Sequence, residues 1–224
     1  MRDDKIRISM KKNWEQLISD AHEPIGEGAE KKVYQSRHHP ERVLGAYKHP
    51  ESPGLVKARY YLTKILHILL PENIVDIHLS SSQPNAVVRE KVKLDDLYTE
   101  LQKIYVKAEW SDEDERRLRE LEKQARERQY YDEHDLIQNL HNLGIAIDEG
   151  TDNFAYDTAD KLKYFEDFPA LKIEKDAVKR CFNETALQSA IGKITDDKSK
   201  EKAQSYLNRL MHLIAVEEAE INQK

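Results

Sequence analysis

A single cysteine, Cys181, stands in 224 residues, so the chain can build neither an internal disulfide framework nor a cysteine-rich zinc site. Glycine and proline are scarce, with seven of each, about half of the roughly 12% share usual in soluble proteins. That scarcity argues against a turn-rich all-β barrel and favours helix. No run approaches the roughly 18 apolar residues that span a bilayer. Met1-Arg2-Asp3-Asp4-Lys5 leads into no apolar signal core, so a cytoplasmic protein is expected. Basic charge is in deficit, with 36 Lys and Arg against 42 Asp and Glu and a net charge of −6. Nucleic acid, whose phosphates call for a basic face, is therefore an unsuitable partner. What remains is 39% hydrophobic and 35% charged residues, enough for one core beneath a heavily charged surface.

The pattern changes along the chain. Lys11 to Asp20 reads as a first helix, with Trp14, Leu17 and Ile18 on one face. Lys32–Gln35 and Arg42–Lys48 are β-like runs joined by the turn chemistry of His38-His39-Pro40-Glu41. Leu55, Ala58, Leu62, Ile65, Leu66 and Leu69 recur at helical spacing until Pro71-Glu72-Asn73 breaks the pattern. Ile74–Leu79 and Ala86–Val92 read as further strands. Residues 95–132 differ, because 20 of these 38 are charged. Two thin apolar stripes, Leu97 to Ala108 and Leu118 to Ala125, predict a solvated helical hairpin that packs lightly on the domain. Ser111 and Asp114 have the spacing of a capping box at its second helix. A shorter helix is expected from Asp132 to a glycine cap at Gly144. Strands at Phe154–Tyr156 and Leu162–Phe165 follow, then a helical tail from Leu171.

Three polar signals keep a fixed order. Gly26-Glu27-Gly28 lies between β-like segments, where backbone without side chains could close over phosphates. Lys48 ends a strand, from which an ammonium could reach phosphate oxygens. Asp148, Asn153 and Asp167 are hard oxygen donors on a loop and near a strand end, suited to magnesium rather than zinc. The histidines read differently: His38-His39 as a solvated turn, His134 and His141 as helix surface. Cys181 reads as a buried structural thiol.

These residues carry a resemblance. Ile25-Gly26-Glu27-Gly28-Ala29-Glu30-Lys31-Lys32-Val33-Tyr34 resembles the glycine-rich loop of protein kinases and their aminoglycoside-phosphotransferase-like relatives. Val43–Lys48 resembles the strand that carries the ATP-positioning lysine, and Pro71–Val75 the segment after the first large helix. Asp148-x4-Asn153 is similar to the catalytic loop, and Asp167-Phe168-Pro169 to the Asp-Phe-Gly metal ligand. The resemblance implies ATP and magnesium as cofactors. Gly26, Gly28, Val33 and Lys48 would bind the nucleotide, Asn153 and Asp167 would hold the metal, and Asp148 would act on the acceptor hydroxyl. Departures accompany it. Lys31 stands at the third glycine, Tyr61 where a helix glutamate belongs, Ala146-Ile147 before Asp148, and Pro169 after Phe168. Only 57 residues follow Asp167, which disfavours a peptide-docking protein kinase.

The resulting expectation is an α+β, two-lobed kinase-like fold. Residues 1–94 form an N-lobe with a five-stranded antiparallel sheet and one large helix. Residues 95–132 form the charged hairpin, read first as a solvated helix face and otherwise as a docking arm for a protein partner, and residues 133–224 a reduced helical C-lobe. The function read from it is transfer of the ATP γ-phosphate to a hydroxyl of a small molecule or protein, with no nucleic-acid or membrane partner. The alternative is a catalytically inactive nucleotide-binding or scaffold module.

Overall fold

A computed structural model of the chain describes residues 24–27, 31–35, 40–48, 52–79, 86–105, 107, 109–147, 153–174 and 177–221. The helix expected at Lys11–Asp20, together with Gly28 and Asp148, lies outside these residues. The chain is α+β. Strands β1 (Pro24–Glu27), β2 (Lys31–Gln35), β3 (Arg42–Tyr47), β4 (Ile77–Leu79) and β5 (Ala86–Glu90) form an antiparallel sheet in the order β1-β2-β3-β5-β4.

Helix α1 (Pro53–Leu69) connects β3 to β4. It starts where the Ser52 hydroxyl accepts the Leu55 amide at 3.1 Å and Pro53 occupies the first turn. Its buried stripe, Val56, Ala58, Leu62, Ile65 and Leu66, follows the sequence periodicity, and Pro71 lies just past its end. Strand alternation assigns the two faces of the sheet. Lys31, Val33, Gly45, Tyr47, Val87 and Arg89 share one face through the pairs Lys31–Tyr47, Val33–Gly45 and Gly45–Val87. Arg59 of α1 lies 5.6 Å from the Tyr47 ring centroid, so this face turns toward α1. The opposite face carries the small cluster Leu44, Ala86 and Val88, with Tyr34 and Ala46.

Lys64 of α1 and Asp76, just ahead of β4, pair at 2.5 Å. Burial pushes the Asp76 carboxyl up, but the Lys64 bond and charge outweigh it and hold it below the usual range. Burial pushes the neighbouring His78 imidazole down against the opposing pull of Asp76. Both shifts favour the less protonated form in the folded state, so the unfolded chain takes up these protons first as pH falls. Stability is therefore expected to drop on acidification, first below about 6.5 through His78 and again below about 4 through Asp76. Urea midpoints between pH 7 and pH 3 measure this. Asp76→Asn should flatten the lower limb and His78→Gln the upper one, and unchanged limbs would refute the assignment.

Helix α2 (Asp96–Tyr105) is followed by α3 (Asp112–Asn142), which runs unbroken across the boundary expected at 132. The capping box is formed: the Ser111 hydroxyl accepts the Asp114 amide at 3.1 Å, and Asp114 accepts the Ser111 amide at 3.2 Å. No glycine or proline lies between Ser111 and Gly144 to end the helix sooner. The light packing expected of residues 95–132 gives way to core membership. Tyr98, Leu101, Ile104, Leu118, Leu121 and Ala125 are buried in the same cluster as Leu62, Leu140 and Phe154. The Tyr98 hydroxyl donates to the buried Gln129 carbonyl at 2.9 Å. Arg128 lies over the Tyr156 ring at 4.3 Å and pairs with Asp160 at 2.6 Å.

Gly144 ends α3 with φ +68°, a left-handed conformation that glycine adopts without penalty. A Cβ at this position would lie 2.7 Å from the Asn183 Cβ and 2.8 Å from its backbone nitrogen. Gly144→Ala is therefore expected to cost at least about 1–3 kcal/mol, read as a lower urea midpoint; an unchanged midpoint would contradict it.

Strands β6 (Phe154–Tyr156) and β7 (Leu162–Tyr164) form the next hairpin. Its turn is tied by Asp157, which accepts the Ala159 and Lys161 amides at 2.9 and 3.0 Å. The helical tail expected from Leu171 is corrected at its start, where β8 (Leu171–Glu174) and β9 (Ala177–Arg180) pair as a second hairpin. Leu171-Lys172-Ile173-Glu174 alternates apolar and polar residues with the period of two that suits a strand. Helices α4 (Glu184–Gly192) and α5 (Asp197–Ile221) follow. Helix α5 packs along α1, with Ala203, Leu207, Leu210 and Ile214 buried. Among the described residues no helix is long and apolar enough to cross a membrane.

Candidate functional site

The β6–β7 hairpin brings two of the expected metal ligands to one end. Asn153 immediately precedes β6 and Asp167 follows β7 by three residues, and the Asn153 carbonyl accepts the Phe165 amide at 3.0 Å. The hairpin is anchored from below by aromatic packing. Phe154 meets Tyr164 with ring centroids 5.1 Å apart, and Tyr164 meets Phe168 at 5.2 Å. Phe168 is wholly buried, so the residue after Asp167 fixes the carboxylate's position. From above, the Asn73 carbonyl accepts the Tyr164 amide at 2.9 Å, tying the hairpin to the turn after α1.

The Asp167 side chain is completely enclosed. Lys31 of β2 donates to its Oδ1 at 2.8 Å and to Glu166 Oε2 at 2.5 Å. Arg89 of β5 pairs with the same Asp167 oxygen, and the Tyr47 hydroxyl of β3 donates to the other. Three strands of one sheet face thus converge on this carboxylate. Gly45 lies between Lys31 and Val87 on that face, and a Cβ there would meet Lys31 Cδ at an ordinary contact distance of 3.7 Å. Two cations meet two carboxylates, so the cluster is close to neutral. Burial pushes the Arg89 guanidinium below its ordinary value while the Glu166 charge opposes the shift. An arginine begins so far above neutrality that it remains charged.

The other expected nucleotide residues are placed as follows. Gly26 lies in β1, paired with Val33 of β2. Val33 shares the sheet face of Lys31. Lys48 is exposed one residue beyond the end of β3, and an ammonium reaches Asp167 from Lys31. Tyr61, at the expected position of a helix glutamate, instead packs its ring 5.8 Å from that of Tyr206 on α5. Glu166 is a second carboxylate, beside Asp167, that pairs with Lys31.

Lys31, Tyr47, Arg89 and Glu166 were not singled out as site residues in the sequence. Lys31 carried a signal, because it departs from glycine inside a glycine-rich pattern. Arg89 and Tyr47 reach the site through strand register, for which no local motif exists.

Asp167 and Asn153 suit magnesium by donor type, since both offer hard oxygens. The Asp167 carboxylate is held by Lys31, Arg89 and Tyr47, so a metal would bind it by displacing one of these partners. Among the described residues no group of three or more His, Cys, Asp or Glu side chains is arranged to hold a metal ion. A metal here would therefore take its remaining ligands from substrate phosphates and water, as magnesium commonly does. The chain matches no family model and no curated protein.

Proposed function

We propose that the chain transfers the γ-phosphoryl group of ATP to a hydroxyl acceptor, a small molecule or a protein, at the site around Asp167. One observation carries this reading above the others. The β6–β7 hairpin sets Asn153 and Asp167 at one end, and the sheet that follows the glycine-bearing segment supplies a lysine to the same carboxylate. Order along the chain alone does not require that meeting. The sheet order and the single helix between β3 and β4 also fit the N-terminal part of a kinase-like arrangement.

In this reading Asp167 and Asn153 hold magnesium. The bound ion supplies neutralisation of the charge on the transferred group. The acceptor oxygen bonds to the γ-phosphorus while the bond to ADP breaks, and Asp148 takes or orients the hydroxyl proton. The enclosure of Asp167 strengthens each electrostatic interaction made there.

A second reading, a nucleotide-binding module without turnover, draws on the same cluster. Lys31 and Arg89 already neutralise Asp167 and Glu166, an arrangement that can serve structure alone. ADP release measured with ATP, with and without magnesium, separates the two. Magnesium-dependent release supports transfer, while nucleotide binding without release supports the silent module.

A further inference from the structure

The geometry points to Lys31, not Lys48, as the lysine that pairs with the nucleotide phosphates. This rests on the phosphotransferase reading of the Asp167 site and names the cation within it. Lys31 Nζ stands 2.8 Å from the carboxylate assigned to magnesium and 2.5 Å from Glu166. A cation touching the metal-binding carboxylate stands beside whatever phosphates that metal holds. Lys48 is exposed past the end of β3.

Two independent features build the position of Lys31. Its backbone lies in β2, where it pairs with Tyr47 and takes the α1-facing side of the sheet. Its ammonium is held by two carboxylates, leaving the side chain only 8% exposed. Lysine has three donors on a compact charge, so exchanging a carboxylate for a phosphate oxygen keeps its hydrogen bonding satisfied. Glu166 then does for this lysine what a helix glutamate would do for one at position 48. That accounts for two departures at once: lysine at the third glycine position and tyrosine at position 61.

The direct test uses the unaltered full chain and an acyl-phosphate derivative of ATP with magnesium. The amine nearest the phosphates attacks the acyl carbon. An amide bond forms, the acyl–oxygen bond to phosphate breaks, ATP leaves, and the amine proton passes to solvent. Peptide mapping by mass spectrometry should find the acyl group on Lys31, and excess ATP should suppress it. Label on Lys48, or no ATP-protected label on Lys31, overturns the proposal. Calorimetry keeps the two levels apart: if wild type binds ATP but the label lies elsewhere, only the lysine assignment fails. A wild type that binds no ATP overturns the site reading and this proposal with it. As a second arm, Lys31→Met should lower magnesium-ATP affinity at least about tenfold, with circular dichroism checking that the variant is folded. A folded variant with unchanged affinity also overturns the proposal.

Discussion

Replacing Asp167 with alanine is expected to lower the free energy of unfolding by about 3–5 kcal/mol. The carboxylate is wholly enclosed, and Lys31 and Arg89 reach it with side chains only 8% and 13% exposed. Its removal leaves two buried cations with Glu166, itself 37% exposed, as a nearby anion. Desolvation of those charges then goes uncompensated, which is why breaking a buried pair costs more than the pair contributes. Equilibrium urea unfolding gives the value. The double variant Asp167→Ala/Arg89→Leu should recover part of the loss, because a cation without its partner is also removed. A loss below about 1 kcal/mol, the range of exposed pairs, would mean that the cluster is solvated.

The second large effect concerns residues 95–132. Deleting them and joining the flanks is expected to unfold the protein, although closing a loop is itself inexpensive. Deletion strips Tyr98, Leu101, Ile104, Leu118, Leu121 and Ala125 from a shared core and exposes what they cover. It also cuts α3 in mid-helix, leaving Leu136 and Leu140 on a stub. The single substitution Leu121→Ala, at a side chain 1% exposed, should cost about 2–5 kcal/mol. A folded deletion variant with native near-ultraviolet circular dichroism would show that the hairpin stands apart from the core.

Legibility in the sequence tracked how local each cause is. Helix α1 is readable because its stripe from Leu55 to Leu69 and its Pro71 stop lie close together in the sequence. The Ser111–Asp114 capping box, the Gly144 cap and the β6 and β7 strands are readable for the same reason. The long α3 reads as two helices in the sequence because composition changes near Asp132. Composition changes there because the helix passes from one neighbour to another, while the backbone meets no breaker. The thin stripe of Leu118, Leu121 and Ala125 looked solvated because the residues that cover it come from α2. The β8–β9 hairpin was lost inside a helical tail because four-residue strands give too short a pattern for periodicity to settle.

The candidate site divides in the same way. Asp167 and Asn153 stand out in the sequence as hard oxygen donors in segments that resemble a catalytic loop and an Asp-Phe-Gly ligand. Lys31, Tyr47 and Arg89 meet Asp167 only after three strands have paired in register, and a one-residue slip would turn them to the other face. Lys48 drew attention because it fits a linear pattern. Linear pattern does not report which lysine the sheet carries to the carboxylate.

The most direct measurement is a calorimetric titration of ATP into the full chain, with magnesium and with a chelator in its place. The Asp167 site as described predicts saturable binding that requires magnesium and is weakened in Asp167→Asn. At a ligand concentration about 100 times the dissociation constant, that binding should also add about 2.7 kcal/mol to stability. No binding, or equal affinity with and without magnesium, would contradict the account.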